Sequence, residues 1–355
     1  MDRAAVTTCL LLALAGVFAG GCGAGSSRWD GPGRPAPVRV EAWSFEGQPG
    51  RKLLTPNYAI YTTVQDLDVV EAVGQLVEGA LAQYRRLSPP APAAERSATV
   101  AAHRSDLSAR PLSIAPSHGP LECYLFQTRE QWASFTRSRT GADAAVYLQI
   151  NRGGYTVRDW YVAFFIGDVG TYSVIAHEGW HQYVARHFKS RLPPFLEEGL
   201  ACMFEEVRWG GRSGRLPRWS LSRNGSRLVG LREALEGGRL VPLAELAEMH
   251  AGHVVDRPTE EIDAFYAQSW AFVRFLWEAD DGQYRPILRR MLADATAGTL
   301  FPGDPVLRRN DGTWDAGFAR PMLEYYLSSN LDDMDVKFRR YVHALVARNF
   351  RATTE

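Results

Sequence analysis

Two histidines and a glutamate stand at the spacing of a zinc-binding helix in the segment His177-Glu178-Gly179-Trp180-His181. On an α-helix the i, i+4 spacing puts His177 and His181 on one face, about one turn apart. Two imidazoles at that separation can hold one Zn²⁺ ion at about 2.0–2.1 Å each. Glu178 lies beside them, where its carboxylate could take a proton from a water molecule on the metal. The segment therefore indicates metal-assisted hydrolysis, with an ordinary polar helix face as the alternative.

A second helix carries the carboxylate that would complete this site. The chain breaks at Leu192-Pro193-Pro194 and restarts with apolar residues at helical spacing between Phe195 and Glu205. Glu198 shares a face with Cys202 and is expected to point inward, whereas Glu197 is expected to be solvated. An inward carboxylate needs a partner, because a buried unpaired charge is costly. A metal ion held by the two histidines would be such a partner.

The combined pattern resembles that of the gluzincin metallopeptidases. Those enzymes join H-E-x-x-H to a helix W-L-x-E-G-x-A that supplies the third zinc ligand, and this chain reads HEGWHQY…PPFLEEGLACMFE. It is more similar still to a bacterial, peptidase MA-like domain of unknown function. The resemblance implies that His177, His181 and Glu198 bind one Zn²⁺ per chain and that Glu178 is the general base. It also implies an α+β zincin fold, in which a small mixed sheet precedes the active-site helix, the glutamate helix and a helical C-terminal part.

His187 is a competing third ligand, because it follows His181 at the spacing of the metzincin pattern H-E-x-x-H-x-x-G-x-x-H. That pattern needs a glycine to end the helix and turn the chain back, and Val184 stands at its position. If the helix continues, His187 lies about 240° around the axis from His181 and faces away. Glu198 is therefore the preferred ligand.

Two further residues have predicted roles beside the metal. The segment Phe265-Tyr266-Ala267-Gln268-Ser269-Trp270-Ala271 resembles the start of a gluzincin aminopeptidase helix, Y-x-x-G-F-A-L-L-x-Y-L, whose tyrosine hydroxyl donates to the oxyanion. The resemblance implies that role for Tyr266, while an ordinary apolar stripe with Ile262 and Trp270 is the alternative. Glu205, seven residues after Glu198, is the candidate for orienting a ligating histidine.

The start of the chain predicts export. An apolar run from Ala4 to Ala19, followed by Gly20-Gly21-Cys22, is typical of a secretory signal. The small residues before Cys22 resemble a bacterial lipobox, which implies a lipid on Cys22 and attachment to a membrane; ordinary secretion and an uncleaved membrane anchor are the alternatives. The predicted location is the bacterial cell envelope, either lipid-anchored or secreted and periplasmic. Forty basic residues balance forty acidic ones, so no nucleic-acid partner is predicted.

The domain boundaries follow from these segments. We expect a signal peptide of the lipoprotein type over 1–22, a flexible linker over 23–37, a gluzincin-like domain over 38–280 and a C-terminal helical extension packed on it over 281–355. Cys123 and Cys202 could form a disulfide in an oxidising compartment or remain buried thiols.

Periodicity predicts the elements that position the site. The expected strands cover 57–63, 121–126, 145–150 and 161–166, and the expected helices cover 69–86, 130–136, 243–250, 284–293, 319–328 and 331–348. An exposed insertion is expected over 87–119 and a surface excursion over 208–240. The pair His250 and His253 is interpreted as surface histidines rather than a second metal site. By the gluzincin resemblance, the segment around Gly153 or the one around Ala163 would pair with an extended substrate; a hairpin turn is the alternative.

Together these features predict an envelope-anchored zinc metallopeptidase that acts on a peptide or protein substrate. The alternative is a non-catalytic zinc-binding lipoprotein, in which the metal holds the helices together and the cleft binds a partner. The presence of Glu178 favours hydrolysis, because a purely structural site has no need of it. No glutamate-bearing motif for a free α-amine is evident before the active-site helix, which leans against an aminopeptidase.

Overall fold

Helices cover both faces of a mixed β-sheet, and the helices that follow the sheet carry the predicted site. The computed structural model describes residues 7–8, 34–90, 119–151, 153–210, 216–220, 223–249, 251–254, 257–301 and 316–350. Within these residues the chain is α+β, as the sequence predicts. None of the described helices combines the length and the hydropathy needed to cross a lipid bilayer.

The strands among the described residues form one seven-stranded sheet and one two-stranded hairpin. The sheet strands are Thr7–Thr8 (β1), Arg39–Phe45 (β2), Gln48–Leu54 (β3), Tyr58–Thr62 (β4), Leu121–Phe126 (β5), Gly154–Val157 (β6) and Trp160–Phe164 (β7). The hairpin strands are Val207–Gly210 (β8) and Leu216–Trp219 (β9).

The helices lie between the strands and after them. The first seven are Leu67–Leu87 (α1), Arg129–Thr140 (α2), Ala144–Tyr147 (α3), Asp168–His187 (α4), Pro194–Cys202 (α5), Gly225–Glu236 (α6) and Leu243–Glu248 (α7). The others are Ala251–Val254 (α8), Thr259–Glu278 (α9), Arg285–Ala297 (α10), Ala319–Leu327 (α11) and Leu331–Phe350 (α12). Short 3₁₀ turns cover Gly141–Asp143, Ala279–Gly282 and Ala316–Phe318.

The order of strands in the sheet is β1-β6-β7-β5-β4-β3-β2. Strands β4, β5 and β7 run parallel, and the other neighbours are antiparallel. Strand β7 is therefore interior, which excludes the segment around Ala163 as a sheet edge. Strand β6 lies outside it, and its outer side is paired with the two residues of β1 in the register Thr7↔Thr156 and Thr8↔Tyr155.

Side chains of the sheet alternate between two cores, as the two-residue period of a strand requires. Cys123 of β5 faces the large core that contains α1 and α4, whereas its neighbour Tyr124 faces an aromatic core that α2 covers. The same alternation in β6 puts Tyr155 in the aromatic core and turns Thr156 toward α4. The sheet therefore presents Thr156 to the helix that carries His177 and His181.

Helix α4 packs against α1 and is preceded by a glycine. Gly167 precedes it with a φ of +87°, a backbone conformation that favours glycine. The buried hydroxyl of Tyr84 in α1 donates to the carbonyl oxygen of Ala176. The rings of Tyr84 and Trp180 meet edge to face at 5.8 Å between centroids. These contacts fix the axial position of the turn that bears both histidines.

Helix α5 lies close against α9 because Gly199 has no side chain at the contact. A Cβ at Gly199 would collide with the carbonyl oxygen of Ser269 and come 2.8 Å from Cγ2 of Val273. Pro194 lies in the first turn of α5, where its missing N–H would have no intrahelical partner in any case. The close approach places Glu198 and the Tyr266 helix side by side.

Two predicted elements are wrong. The segment 145–150 is not a strand, because Ala144 and Tyr147 are buried at helical spacing in α3 while Val146 is exposed. The excursion predicted over 208–240 instead contains the β8–β9 hairpin, with Trp219 buried against α1, and helix α6, with Arg227 buried. Its arginine- and glycine-rich composition was misleading, because Arg227 is paired inside the protein.

The other predicted elements agree with the structure, apart from their ends. Strands β4, β5 and β7 and helices α1, α2, α7, α10, α11 and α12 occur where periodicity predicts them. Strands β2 and β3 were not predicted. Most of the predicted signal peptide and linker, and residues 91–118 of the predicted insertion, lie outside the described residues.

Candidate metal centre

Three donor atoms converge between α4 and α5. Nε2 of His177 lies 3.2 Å from Nε2 of His181 and 3.2 Å from Oε2 of Glu198. Nε2 of His181 lies 3.4 Å from the same carboxylate oxygen. All three side chains are buried, with at most 2% of each residue exposed. This group could hold a metal ion, and it consists of the three residues predicted from the sequence.

The triangle formed by these atoms has the size that a zinc ion requires. In a tetrahedral site with Zn–N and Zn–O bonds of about 2.0–2.1 Å, neighbouring donor atoms are about 3.3–3.4 Å apart. The three measured separations are 3.2, 3.2 and 3.4 Å. The group therefore offers three protein donors at separations that fit such an ion.

A carboxylate holds the far nitrogen of each histidine. Nδ1 of His177 lies 2.8 Å from Oε1 of Glu205, and Nδ1 of His181 lies 2.8 Å from Oε1 of Glu197. Because an ionised carboxylate only accepts, each Nδ1 carries the donated proton. In the neutral tautomers both Nε2 lone pairs then point at each other and at Glu198. Only a cation between them, either a metal ion or protons, relieves this repulsion.

The pKa shifts of the two histidines and of Glu198 show the same preference for positive charge at the site. Burial lowers the pKa of His177 and His181, but the neighbouring carboxylates outweigh it, so that both pKa values are raised. Burial would raise the pKa of Glu198, yet the two histidines lower it to about 2. These shifts all favour positive charge between the three side chains, as expected for ligands that attract a divalent cation.

Glu205 belongs to a buried network that sequence reasoning anticipated only in part. Its carboxylate accepts from Nε and Nη2 of Arg227 at 2.9 and 2.7 Å and from Nδ2 of Asn224 at 2.6 Å. Burial would raise the pKa of Glu205, but Arg227 and the His177 hydrogen bond outweigh it and keep that pKa well below its ordinary value. Glu205 lies three residues beyond the end of α5. Ser173 of α4 donates to its carbonyl oxygen at 2.8 Å.

Glu197 was predicted to be solvated, and that prediction is wrong. Its side chain is 13% exposed and meets Nδ1 of His181. Helical spacing alone put it on an outer face of α5. The prediction ignored the packing of α5 against α4, which brings that face to the second histidine.

The two oxygens of Glu178 have different surroundings. Oε2 lies 2.7 Å from the hydroxyl of Thr156, whereas Oε1 is buried and has no hydrogen-bond partner among the described residues. Glu178 is fully buried, and burial raises the pKa of its carboxyl group. A buried carboxylate oxygen without a partner is costly unless water or a ligand meets it. Oε1 is therefore the oxygen of Glu178 that is available to water or a ligand.

Tyr266 lies at the same site, on α9. Its ring centroid is 6.3 Å from that of His177, and the guanidinium of Arg227 lies 4.9 Å from its ring centroid. The residue is 2% exposed. The structure thus brings Tyr266 to the histidines, and its burial also fits the apolar stripe considered as the alternative.

The competing third ligand, His187, does not reach the three donor atoms. His187 ends α4 and packs against Tyr183, with 4.5 Å between ring centroids, and it is not part of the three-donor group. Cys123 and Cys202 are both buried free thiols. His250 lies outside the described residues, as does the side chain of His253.

Four contributors at the site were not predicted in these roles: Thr156, Glu197, Asn224 and Arg227. No spacing rule relates them to the histidines, because they reach the site from β6, from an unexpected face of α5 and from the start of α6 with its N-cap. One sequence feature could have indicated such a role: Glu197 is an ionisable residue next to Glu198, on a helix that packs on the histidines.

A scan against protein-family models finds no match to this chain, and a search of curated proteins finds none either.

Proposed function

We propose that this protein is a zinc-dependent peptidase that hydrolyses peptide bonds at the site formed by His177, His181 and Glu198. The observation that carries the proposal is the pairing of a three-donor group of zinc dimensions with Glu178, whose buried Oε1 has no hydrogen-bond partner in the described part of the chain. A metal site that served only to hold helices together would gain nothing from a second, uncoordinated carboxylate at this position.

The chain's own residues then have distinct tasks. A bound zinc ion would supply Lewis-acid polarisation and would lower the pKa of water from about 15.7 to about 7. Glu178 accepts the proton of the attacking water at Oε1 and passes it to the leaving amine. Glu205 and Glu197 keep the histidine Nε2 atoms directed at the metal position. Tyr266 is assigned to the oxyanion, where loss of one donor typically costs about 10²–10³ in rate.

The substrate is proposed to lie along the outer side of β6. This side already pairs with an extended segment, since Thr7 and Thr8 form antiparallel bridges to Thr156 and Tyr155. Thr7 and Thr8 belong to the predicted signal peptide. Removal of that peptide would therefore free the outer side of β6 for a substrate backbone. Strand β6 also lies against α4, because a Cβ at Gly154 would come 3.1 Å from Cγ1 of Val174. A peptide on β6 would therefore pass beside Glu178.

Attachment to the bacterial cell envelope through a lipid on Cys22 remains part of the proposal and rests on the N-terminal sequence. Its test is mass spectrometry of the mature N-terminus, with secretion without a lipid as the contrary result.

Burial of the site favours one second candidate, a non-catalytic zinc-binding lipoprotein that binds a partner. His177 and Glu178 are 0% exposed and His181 is 2% exposed, so very little of the site reaches the surface. This candidate predicts zinc-dependent folding without hydrolysis. The peptidase requires that a substrate opens a path to the site.

The test uses the chain after removal of its predicted signal peptide, purified in detergent, with its zinc content determined. It is incubated with a diverse peptide mixture as prepared, after removal of zinc and after zinc is restored, and cleavages are identified by mass spectrometry. The peptidase predicts cleavage that disappears and returns with zinc, and the cut positions would separate endopeptidase from exopeptidase activity. A fully zinc-loaded protein that cuts no peptide would favour the binding protein.

A further inference from the structure

Thr156 is the described residue that contacts the carboxylate of Glu178 by a side-chain hydrogen bond. Its Oγ1 lies 2.7 Å from Oε2 and 3.0 Å from the backbone carbonyl oxygen of Glu178. Thr156 is 5% exposed and Glu178 is fully buried, so water does not compete for this contact. A short hydrogen bond from a hydroxyl to an ionised oxygen is among the stronger kinds in proteins.

This contact distinguishes the two oxygens of the general base. A hydroxyl has one proton, and the shorter contact to a charged acceptor directs it to Oε2. Oε1 is then the oxygen without a partner among the described residues. When Oε1 takes a proton, Oε2 can still accept from Thr156, so the same hydrogen bond holds the side chain before and after proton transfer.

The position of Thr156 in the sheet makes this contact rigid. Thr156 pairs with Tyr161 in the antiparallel β6–β7 ladder, and β7 is an interior strand. Gly154 allows the strand to lie directly on α4, as described above. The hydroxyl is therefore held by a backbone paired within the sheet and not by a loop.

We propose that Thr156 is the positioning residue of Glu178, which fixes Oε1 as the oxygen that exchanges the proton. This inference rests on the proposed function. It adds that the strand proposed to bind the substrate backbone also orients the base, so that peptide and carboxylate are placed by a single element. Thr156 does not contact the three donor atoms and is not expected to affect zinc affinity.

The test compares Thr156→Val, which keeps the shape and removes the hydroxyl, with Thr156→Ser, which keeps the hydroxyl. We expect Thr156→Val to lower kcat about tenfold to a hundredfold, as for loss of general-base efficiency, with KM and zinc affinity within twofold of the wild type. Thr156→Ser should restore most of kcat. Thr296→Val removes another buried hydroxyl, on α10, and should leave kcat unchanged.

A second readout does not require turnover. Infrared difference spectra of the zinc-loaded wild type against Glu178→Gln identify the carboxyl bands of Glu178. These bands should shift in Thr156→Val and return to their wild-type position in Thr156→Ser. Infrared bands that do not shift in Thr156→Val would overturn the inference. A wild-type kcat in Thr156→Val, or a kcat that Thr156→Ser does not restore, would overturn it as well. If the zinc-loaded wild type hydrolyses nothing, the proposed function fails, while the infrared bands still decide whether Thr156 holds Glu178.

Discussion

At the scale of single residues, Nδ1 of each histidine at the site contacts one carboxylate. His177 is paired with Glu205 and His181 with Glu197. In the first pair the carboxylate of Glu205 is held in position, because it also accepts hydrogen bonds from Arg227 and Asn224. The second pair is simpler. The side chain of the partly exposed Glu197 contacts His181 and no other side chain in the described hydrogen bonds. Removing the Glu197 carboxylate charge is therefore the cleaner way to test whether these pairs tune the metal.

Glu197→Gln should weaken zinc binding about tenfold to a hundredfold, because the outer carboxylate orients the ring and raises its basicity. The zinc dissociation constant from competition with a chelator is the measurement. Glu261→Gln, an exposed change on α9, is the control and should bind zinc as the wild type does. Equal affinity in Glu197→Gln and wild type would show that the contact with His181 does not tune the metal.

Zinc affinity should rise with pH. The carboxylates raise the pKa of both His177 and His181 in the metal-free protein, so protons compete with zinc above the ordinary histidine pKa of about 6.5. Between pH 6 and 8 the displacement of up to two protons gives an increase of up to about a hundredfold per pH unit. Chelator competition at several pH values measures the slope. A flat profile would contradict the raised pKa values.

At the scale of elements, the site depends on how closely α5 can approach α9. Gly199 follows Glu198 and faces the backbone of Ser269. The glycine of the E-G pair thus has a packing reason, since any side chain would push Glu198 away from the histidines. Gly230, on α6, offers the contrast, because a Cβ there would meet Ala267 at an ordinary 3.5 Å.

Gly199→Ala should destabilise the zinc-free fold by about 1–3 kcal/mol, the usual cost of overpacking, and should also weaken zinc binding. Gly230→Ala should be neutral or slightly stabilising, because alanine is the better helix residue by about 1 kcal/mol. Chemical denaturation and zinc titration of both variants provide the comparison. A Gly199→Ala protein as stable as the wild type would show that α5 and α9 are not in tight contact.

Element prediction from the sequence succeeded where periodicity is strong and failed where packing decides. The three donors and Glu178 could be identified because two short helical patterns fix them locally. Thr156 and Arg227 could not, since their approach depends on the sheet order and on the docking of α6. The short α3 was mistaken for a strand because a run of apolar residues satisfies both periods.

At the scale of the whole molecule, zinc is expected to link the helices after the sheet. His177 and His181 come from α4 and Glu198 comes from α5, while Glu205 binds α6 through Arg227. Without a metal the site relies on protons: raised histidine pKa values contribute stability that is present below pH of about 6.5 and lost as pH rises through the folded pKa. Metal-free protein should therefore lose stability from pH 6 to 8.

Removing zinc should lower the melting temperature more at pH 8 than at pH 6. The zinc form gains about 2.7 kcal/mol when free zinc is a hundredfold above its dissociation constant, and that constant falls as pH rises. Thermal melts of zinc-loaded and chelator-treated protein at both pH values measure the two differences. Equal differences would contradict the proposed competition between zinc and protons.

The central claim is that Glu178 acts on a substrate and does not hold the metal. Its most direct test is to measure zinc stoichiometry and peptide hydrolysis in the wild type and in Glu178→Gln. We predict one zinc per chain in both proteins and hydrolysis by the wild type alone, with the variant reduced at least about a hundredfold because a general base is lost. Loss of zinc from the variant, or equal hydrolysis by both proteins, would contradict the account.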